Sequence, residues 1–269
     1  MGMIDATARV AEGATIVEDV EIGPFCIVGP RVELGPGVRL VSHVSVTGRT
    51  SIGARTIVYP FASLGTPPQS VHYRGGDTRL VIGADCQIRE GCTANIGTED
   101  GGGVTRIGDG CIMMVGSHVG HDCEVGNHVT LANNAVLAGH VSVGDHVVFG
   151  GQAAVRQFVR IGAGVMIAGL TGIRADVIPW SLVEGRIGHL AGINVVGLRR
   201  RGFAKADILR LRAVYRELFF GEGAFRSRVG TVAARKDGSP VAEVIEFLAA
   251  SGDRPLTMGV RRAEANAEP

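Results

Sequence analysis

An aliphatic side chain recurs at every sixth position along most of this chain. The series runs from Ile4 to Leu64 without a failure and resumes from Ile107 to Ile173. A small or β-branched residue stands two positions before each of these anchors, as Val141 does before Val143. Two inward positions separated by one outward residue are typical of a short β-strand. The pattern therefore predicts a solenoid of very short strands.

The residues between these strands have the composition of tight corners. Glycine often follows the anchor, as in Ile22-Gly23 and Ile161-Gly162, and 41 of the 269 residues are glycine. Glycine, asparagine and aspartate accept the positive φ angles that sharp turns require. Three strands and three corners would close a triangular coil of 18 residues, and an aromatic content of only 5% suits its narrow core.

Two interruptions break this repeat. The first covers Gly65 to Leu80, and the second covers Gly97 to Val104, which includes three consecutive glycines. A regular solenoid needs no loops, and loops placed on a rigid scaffold commonly carry function. We therefore expect both insertions to cover a groove.

The hydrophobic period changes near residue 205. Helical spacing relates Ile208, Leu211 and Leu218, and two further amphipathic segments follow around Val229 and Val244. The predicted domains are a β-helix over residues 1–190, with insertions near 65–80 and 97–104, and a small helical domain over 191–269. The polar tail after Asp253 is expected to be frayed.

Composition narrows the function. A net charge of +1 argues against bulk nucleic-acid binding. The chain shows no signal segment and no apolar run long enough to span a bilayer, so we expect a cytoplasmic protein that does not insert into membranes. Each cysteine falls two residues before an anchor position, which predicts buried structural thiols without metal or disulfide roles. These residues are Cys26, Cys86, Cys92, Cys111 and Cys123.

One segment combines histidine with a carboxylate. His118, His121 and Asp122 lie close together in sequence, and the 18-residue coil stacks further polar groups on the same edge. It places Gly139 above His121, His140 above Asp122, and Gln157 above Gly139. A histidine can take a hydroxyl proton and later protonate a thiolate, a carboxylate can orient its ring, and a glycine N–H can bind an oxyanion. The cluster suits acyl transfer, although spacing alone barely separates it from chance.

Several longer segments carry a family resemblance. They resemble the acyl carrier protein-dependent UDP-N-acetylglucosamine O-acyltransferases, which open lipid A synthesis, nearly end to end. The segments are Ile22 to Pro30, Arg89-Glu90, His118 to Asn127, Leu131 to His140 and Gly197 to Phe203. The resemblance implies an all-β left-handed parallel β-helix built from hexapeptide repeats, with a small α-helical C-terminal domain. The left hand comes from the resemblance, because parallel crossovers are generally right-handed.

The resemblance also implies roles for individual residues. His121 would be the general base, Asp122 its partner and Gly139 the oxyanion donor. Substrate-binding positions would be Ser70, His72, Asn95, His118, His140, Gln157, Asn194, Arg200 and Arg201, the last three from a neighbouring subunit. Gly169 matches the position that limits acyl-chain length, although a corner glycine is an equally good interpretation from spacing alone.

The expected partners follow from the same resemblance. They are an acyl carrier protein bearing a 3-hydroxyacyl chain, a UDP-sugar and two further copies of the chain in a homotrimer, with no cofactor and no metal. Residues 199 to 216 are strongly basic. This stretch is either an attractive face for the acidic carrier protein or a solvated helix surface.

Three departures from the family pattern leave the acceptor open. Asn95, His72 and Arg156 stand where the family often has histidine, lysine and histidine. A relative that acylates the 3-amino group of a 2,3-diamino sugar nucleotide is therefore an alternative. Two remoter alternatives are a zinc carbonic anhydrase-like trimer built on His118, His121 and His140, and a non-catalytic scaffold.

Overall fold

The six-residue repeat folds into a three-sided parallel β-helix in the computed structural model, which describes residues 2–235 and 237–260. Strands of successive coils pair in parallel with anchors in register, as Val119 does with Leu137. The predicted parallel β-helix with a helical C-terminal region is confirmed.

The described residues form three sheets, one on each side of the prism. The first sheet contains β1 (Arg9–Val10), β4 (Ile27–Val28), β7 (Ser45–Val46), β10 (Ser63–Thr66), β13 (Thr93–Asn95), β16 (His118–Val119), β19 (Val136–Leu137), β22 (Ala154–Val155) and β25 (Gly172–Ile173). The second contains β2 (Thr15–Ile16), β5 (Arg31–Leu34), β8 (Arg49–Ile52), β11 (Arg79–Ile82), β14 (Val104–Ile107), β17 (Glu124–Val125), β20 (Ser142–Val143) and β23 (Arg160–Ile161). The third contains β3 (Glu21–Ile22), β6 (Arg39–Leu40), β9 (Ile57–Val58), β12 (Gln87–Ile88), β15 (Ile112–Met113), β18 (Thr130–Leu131), β21 (Val148–Phe149), β24 (Met166–Ile167), β26 (Ser181–Glu184) and β27 (His189–Ile193).

The core is the column of anchors inside the prism. Almost all of them are buried, whereas Ile4 in the first coil is 51% exposed because it lies at the open end of the solenoid. All five cysteines are free and buried, as their register predicts. Burial raises the pKa of the Cys123 thiol to about 12, which keeps it protonated and unreactive at neutral pH.

The first insertion is slightly shorter than the sequence pattern predicts, and the second is shifted by one residue. The first leaves the helix between β10 and β11, at residues 67–78, and the second lies between β13 and β14, at residues 96–103. Between them one complete coil keeps the repeat, with Ile82, Ile88 and Ala94 buried. Strands β10, β11 and β14 pair over more residues than the usual two, so they extend into positions that the sequence pattern assigned to the insertions.

The helical region begins later than predicted. The expected boundary at 190/191 falls inside β27, which pairs antiparallel with β26 and closes the end of the third sheet. The helices are α1 (Val195–Arg200), α2 (Lys205–Phe220), α3 (Phe225–Ala233) and α4 (Val241–Ala249). The sequence pattern missed α1 because six residues are too few to show a helical period.

The expectation of a frayed tail after Asp253 is wrong for residues up to 259. Backbone hydrogen bonds join Pro255 and Thr257 to Asp176, and Leu190 to Met258. The segment therefore returns along the β-helix and fixes the helical region to it. Residues 261–269 of the predicted tail lie outside the described residues. None of the described helices is long and apolar enough to cross a bilayer.

Candidate active site

His121 and Asp122 lie at a corner between the first and second sheets, between β16 and β17. Asp122 adopts φ +57°, a left-handed conformation that aspartate tolerates better than most residues. Its Oδ2 lies 2.8 Å from Nδ1 of His121. Both residues are 7% exposed. In the tautomer whose Nδ1–H donates to this carboxylate, Nε2 of His121 is the nitrogen that can accept a proton from a substrate.

The Asp122 carboxylate is also held by the second insertion. The Thr98 N–H donates to Oδ1 at 2.8 Å, and the Thr98 hydroxyl donates to Oδ2 at 2.6 Å. The Asp122 N–H donates to the buried Thr105 hydroxyl. Two hydrogen bonds from Thr98 and the contact with His121 thus fix the carboxylate, while Thr105 holds the backbone of Asp122.

Gly139 stacks on His121 from the next coil, as the 18-residue spacing predicts. A Cβ built on Gly139 would lie 2.6 Å from Nε2 of His121, so only glycine leaves this ring in place. Among the described residues, no group accepts a hydrogen bond from the Gly139 N–H. The same corner position holds Pro24 and Pro36, which have no N–H to donate. A free N–H therefore lies directly beside the His121 ring.

His118 and His140 flank this corner. Nδ1 of His118 lies 2.7 Å from the Thr93 hydroxyl, and burial together with the neighbouring His121 lowers the pKa of His118. Burial also lowers the pKa of His140, an effect that Asp122 partly offsets. The His140 ring stacks on Phe158 at 4.4 Å. Both imidazoles are therefore predominantly neutral at pH 7 and can act as hydrogen-bond donors or acceptors.

Asn95 presents an unused acceptor at the same site. Its Nδ2 donates to the Thr66 hydroxyl at 2.9 Å and to the Pro67 carbonyl at 3.2 Å, which fixes the orientation of the amide. Its Oδ1 is buried and has no hydrogen-bond partner in the described part of the chain. A buried amide oxygen left unpaired is unfavourable, so a ligand donor at this point would be stabilising.

A cavity of about 350 Å³ joins many of the predicted residues. Asn95, His118, His121, Gly139 and Gln157 all line it. Gln69 also lines this cavity and was missed by the sequence interpretation, although it adjoins the predicted residue Ser70. Ser70 and His72 lie in the same insertion without lining the cavity, and His72 is exposed.

Asn194, Arg200 and Arg201 line a different cavity, of about 600 Å³. This cavity lies on the outer face of the third sheet, against Val148 and Met166. Asn194 caps α1, since its Oδ1 accepts from the Gly197 N–H and its Nδ2 donates to the Gly164 carbonyl. The third sheet lies opposite the corner that carries His121. Within one chain these three residues therefore do not join the His121 cavity.

Gly169 lies at the corner between the third and first sheets, between β24 and β25. It is exposed, and a Cβ built there would lie 3.1 Å from the Gly151 carbonyl oxygen. The outer face of the first sheet separates this corner from His121. A side chain at residue 169 would therefore stand at the far edge of that face.

Comparisons with known proteins decide the family. Residues 176–257 match the profile described as Udp N-acetylglucosamine O-acyltransferase, Domain 2, and residues 105–139 match the bacterial transferase hexapeptide profile. The acyl-[acyl-carrier-protein]–UDP-N-acetylglucosamine O-acyltransferase of Azorhizobium caulinodans is 58% identical over 95% of both chains. The chain belongs to this family. The predicted resemblance to UDP-N-acetylglucosamine O-acyltransferases is confirmed.

Solved structures of this acyltransferase family agree over nearly the whole chain. The UDP-N-acetylglucosamine acyltransferase of Campylobacter jejuni has a TM-score of 0.90 at 35% identity and covers 97% of this chain and 100% of its own. The Francisella novicida enzyme has a TM-score of 0.92 at 31% identity and covers 97% and 96%. Both the β-helix and the helical region therefore match the family.

The zinc alternative has a partial structural basis. Ligand atoms of His121, Asp122 and His140 all lie within 4.8 Å of one another. However, Nδ1 of His121 and both carboxylate oxygens of Asp122 already take part in hydrogen bonds. Membership in a family of acyltransferases argues against the carbonic anhydrase and scaffold alternatives.

Proposed function

We propose that this chain transfers a 3-hydroxyacyl group from acyl carrier protein to the 3-hydroxyl of UDP-N-acetylglucosamine, the reaction that opens lipid A synthesis. The sugar oxygen attacks the thioester carbonyl carbon while Nε2 of His121 takes its proton. The tetrahedral intermediate then collapses, the C–S bond breaks, and the imidazolium returns the proton to the leaving thiolate. The products are an ester and the free carrier thiol.

The observation that carries this proposal is the pairing of a free His121 Nε2 with a free Gly139 N–H. Asp122 fixes the ring and stabilises the imidazolium as it forms. The Gly139 N–H can stabilise the oxyanion by a hydrogen bond, because this N–H is preorganised and has no competing acceptor among the described residues. General-base and oxyanion groups next to each other are what acyl transfer requires.

The acceptor pocket has donors and acceptors suited to a sugar. His118 lines the cavity and is held by Thr93, whereas His140 stacks on Phe158 beside the cavity without lining it. The unpaired Oδ1 of Asn95 can accept a hydrogen bond from a hydroxyl or amide group of the ligand. Either a 3-hydroxyl or a 3-amino group fits these contacts. The relatives are named O-acyltransferases, which favours the hydroxyl.

The acyl chain has an apolar path away from His121. On the outer face of the first sheet, Val136, Ala154 and Gly172 follow one another in register and decrease in size. This face leads towards the corner that carries Gly169. With no side chain at residue 169, we propose that the path stays open to a longer chain.

We also propose a homotrimer with shared active sites. Asn194, Arg200 and Arg201 line the cavity on the third sheet, opposite the His121 corner. Nucleotide-binding arginines can therefore approach His121 only from another copy of the chain. Rotation by a threefold axis would bring the third sheet of one prism against the His121 corner of the next. Gln157, on the corner itself, would then meet the nucleotide as well.

The carrier protein would approach the basic stretch of residues 199–216. Arg199, Arg200, Arg212 and Arg216 are exposed on α1 and α2. Acyl carrier proteins are acidic, so these charges would accelerate the encounter through long-range attraction.

The direct test measures transfer from 3-hydroxyacyl carrier proteins of several lengths to UDP-N-acetylglucosamine and to its 3-amino analogue. We expect the hydroxyl acceptor to be preferred, and His121→Ala to reduce kcat by about 100-fold or more. His43→Ala is the matched control, because His43 is an exposed corner histidine remote from the cavity. Preference for the amine would identify the N-acyl alternative, and unchanged transfer in His121→Ala would refute the mechanism.

A further inference from the structure

The second insertion, residues 96–103, packs directly on the Asp122 carboxylate. A Cβ on Gly101 would overlap the carboxylate, so the insertion approaches it as closely as a glycine permits. Thr98 in the same insertion is 6% exposed, and the Asp122 side chain is completely buried. The hydrogen-bond donors to this carboxylate therefore come from the insertion and from His121, and water does not reach it.

The direction of the Thr98 hydroxyl hydrogen bond follows from its neighbours. The hydroxyl oxygen accepts from the Gly101 N–H at 3.2 Å, and it lies 2.6 Å from Oδ2 of Asp122. A carboxylate can only accept, so the hydroxyl proton is committed to Oδ2. Oδ2 is also the oxygen that His121 contacts. The hydroxyl and the imidazole thus share one carboxylate oxygen.

We infer that Thr98 is a positioning residue for the His121–Asp122 pair. Its two hydrogen bonds stabilise the buried negative charge and hold Oδ2 where it meets Nδ1 of His121. Without the hydroxyl, the carboxylate could rotate away from the ring, and the imidazolium formed during transfer would lose part of its stabilisation. The insertion thereby acts on the chemical step through Asp122. This inference rests on the proposed function.

Thr98→Val removes the hydroxyl while keeping the shape of the side chain. We expect kcat to fall about tenfold, a loss typical of a hydrogen bond to a charged group, with KM for UDP-N-acetylglucosamine within about twofold. Thr98→Ser should restore most of kcat, because serine can make the same two contacts. Thr56→Val is the matched control, since Thr56 is fully buried and bonds a backbone carbonyl far from the cavity.

A double-mutant cycle distinguishes a role of Thr98 in positioning Asp122 from a purely structural role in the insertion. In an Asp122→Ala background, Thr98→Val should cause no further loss of kcat, because the carboxylate through which it acts is gone. An equal loss in both backgrounds, a rise in KM in place of the loss in kcat, or wild-type kcat in Thr98→Val would overturn the inference. His121→Ala, measured alongside, distinguishes the proposed function from the role of Thr98. An active His121→Ala variant would refute the proposed function. An inactive His121→Ala variant together with a fully active Thr98→Val variant would refute only the role of Thr98.

Discussion

At the scale of single residues, the corners of the β-helix explain how groups that we propose to be catalytic can be placed on so regular a scaffold. The residue two positions after an anchor has an N–H that the sheets do not use, which is why Pro24 and Pro36 fit there. Gly139 occupies this same position beside His121. An ordinary structural feature of the repeat thus becomes a candidate oxyanion site when a histidine stacks on it.

Gly139→Ala tests this arrangement. The new methyl group would lie 2.5 to 3.0 Å from three ring atoms of His121, so the ring must move. We expect kcat to fall by about 100-fold or more with little change in the thermal unfolding temperature. Gly29→Ala is a suitable control, because its methyl would meet nothing closer than 3.4 Å. Normal turnover by Gly139→Ala would show that neither the ring position nor the corner geometry matters for the reaction.

The sequence could predict this corner because its geometry is periodic. His121, Gly139 and Gln157 are 18 residues apart, and one coil rises about 4.8 Å, so their stacking follows from counting alone. Gln69 and Thr98 could not be found in this way. Both lie in insertions whose path depends on contacts with the finished prism, and nothing in the local sequence encodes those contacts.

At the scale of elements, the two insertions are joined to each other. Oε1 of Glu99 accepts from the Gly76 N–H at 2.6 Å and from the Arg74 N–H at 3.3 Å. Asp77 in the first insertion also pairs with Arg31 and Arg49 on the second sheet. The insertions therefore form one layer, which Asp77 fixes to the second sheet and which includes Gln69 and Thr98.

Glu99→Ala should loosen this layer without disturbing the β-helix. We expect KM for UDP-N-acetylglucosamine to rise about threefold to tenfold, because the first insertion is no longer held over the cavity, while kcat changes less. Steady-state kinetics would measure both values. Asp100→Ala is the natural comparison, since Asp100 is the adjacent exposed acid, and its side chain makes no hydrogen bond within the described residues. Equal kinetics for the two variants would contradict a role for the contact of Glu99 with the first insertion.

At the scale of the whole molecule, a buried ion cluster fixes the helical region to the β-helix. Asp176 is 1% exposed, and its Oδ2 accepts from Nε of both Arg160 and Arg254 at 2.8 Å. Burial opposes its ionisation, but hydrogen bonds from the two arginines outweigh this and lower the pKa of Asp176. Arg160 also reaches the Phe247 and Ala250 carbonyls at the end of α4.

Asp176→Asn should therefore lower the free energy of unfolding by about 2 kcal/mol. The loss is not larger because both arginines are partly exposed and can be hydrated. The lowered pKa means that this contribution is complete above the unfolded-state value near 3.8 and is lost as the pH falls further. Urea titrations at pH 7 and at low pH would show the difference shrinking in acid. Asp253→Asn, at an exposed pair with Arg226, should have almost no effect. A difference between Asp176→Asn and wild type that persists undiminished in acid would rule out the ionised carboxylate as its source.

The proposed sharing of the site between copies gives a second prediction at this scale. His121→Ala and Arg201→Ala should each be inactive alone, yet co-expressed chains should regain activity. In randomly mixed trimers about one quarter of the sites would combine an intact His121 with an intact Arg201 from a neighbour. Tagged co-purification and activity assays would measure the recovery. A monomer in sedimentation analysis, or no recovery in verified mixed trimers, would contradict a site shared between copies.

The sequence by itself determined the coil, its inward residues and the stacking at the His121 corner, because these follow from the period of six, whereas the roles expected at this corner came from the resemblance to the acyltransferase family. The tertiary structure alone decided where the insertions pack, that Thr98 holds Asp122, and that Asn194, Arg200 and Arg201 lie opposite His121 in the same chain. Those features depend on contacts between residues with no fixed spacing, and such contacts are defined only once the prism and the helices have packed together.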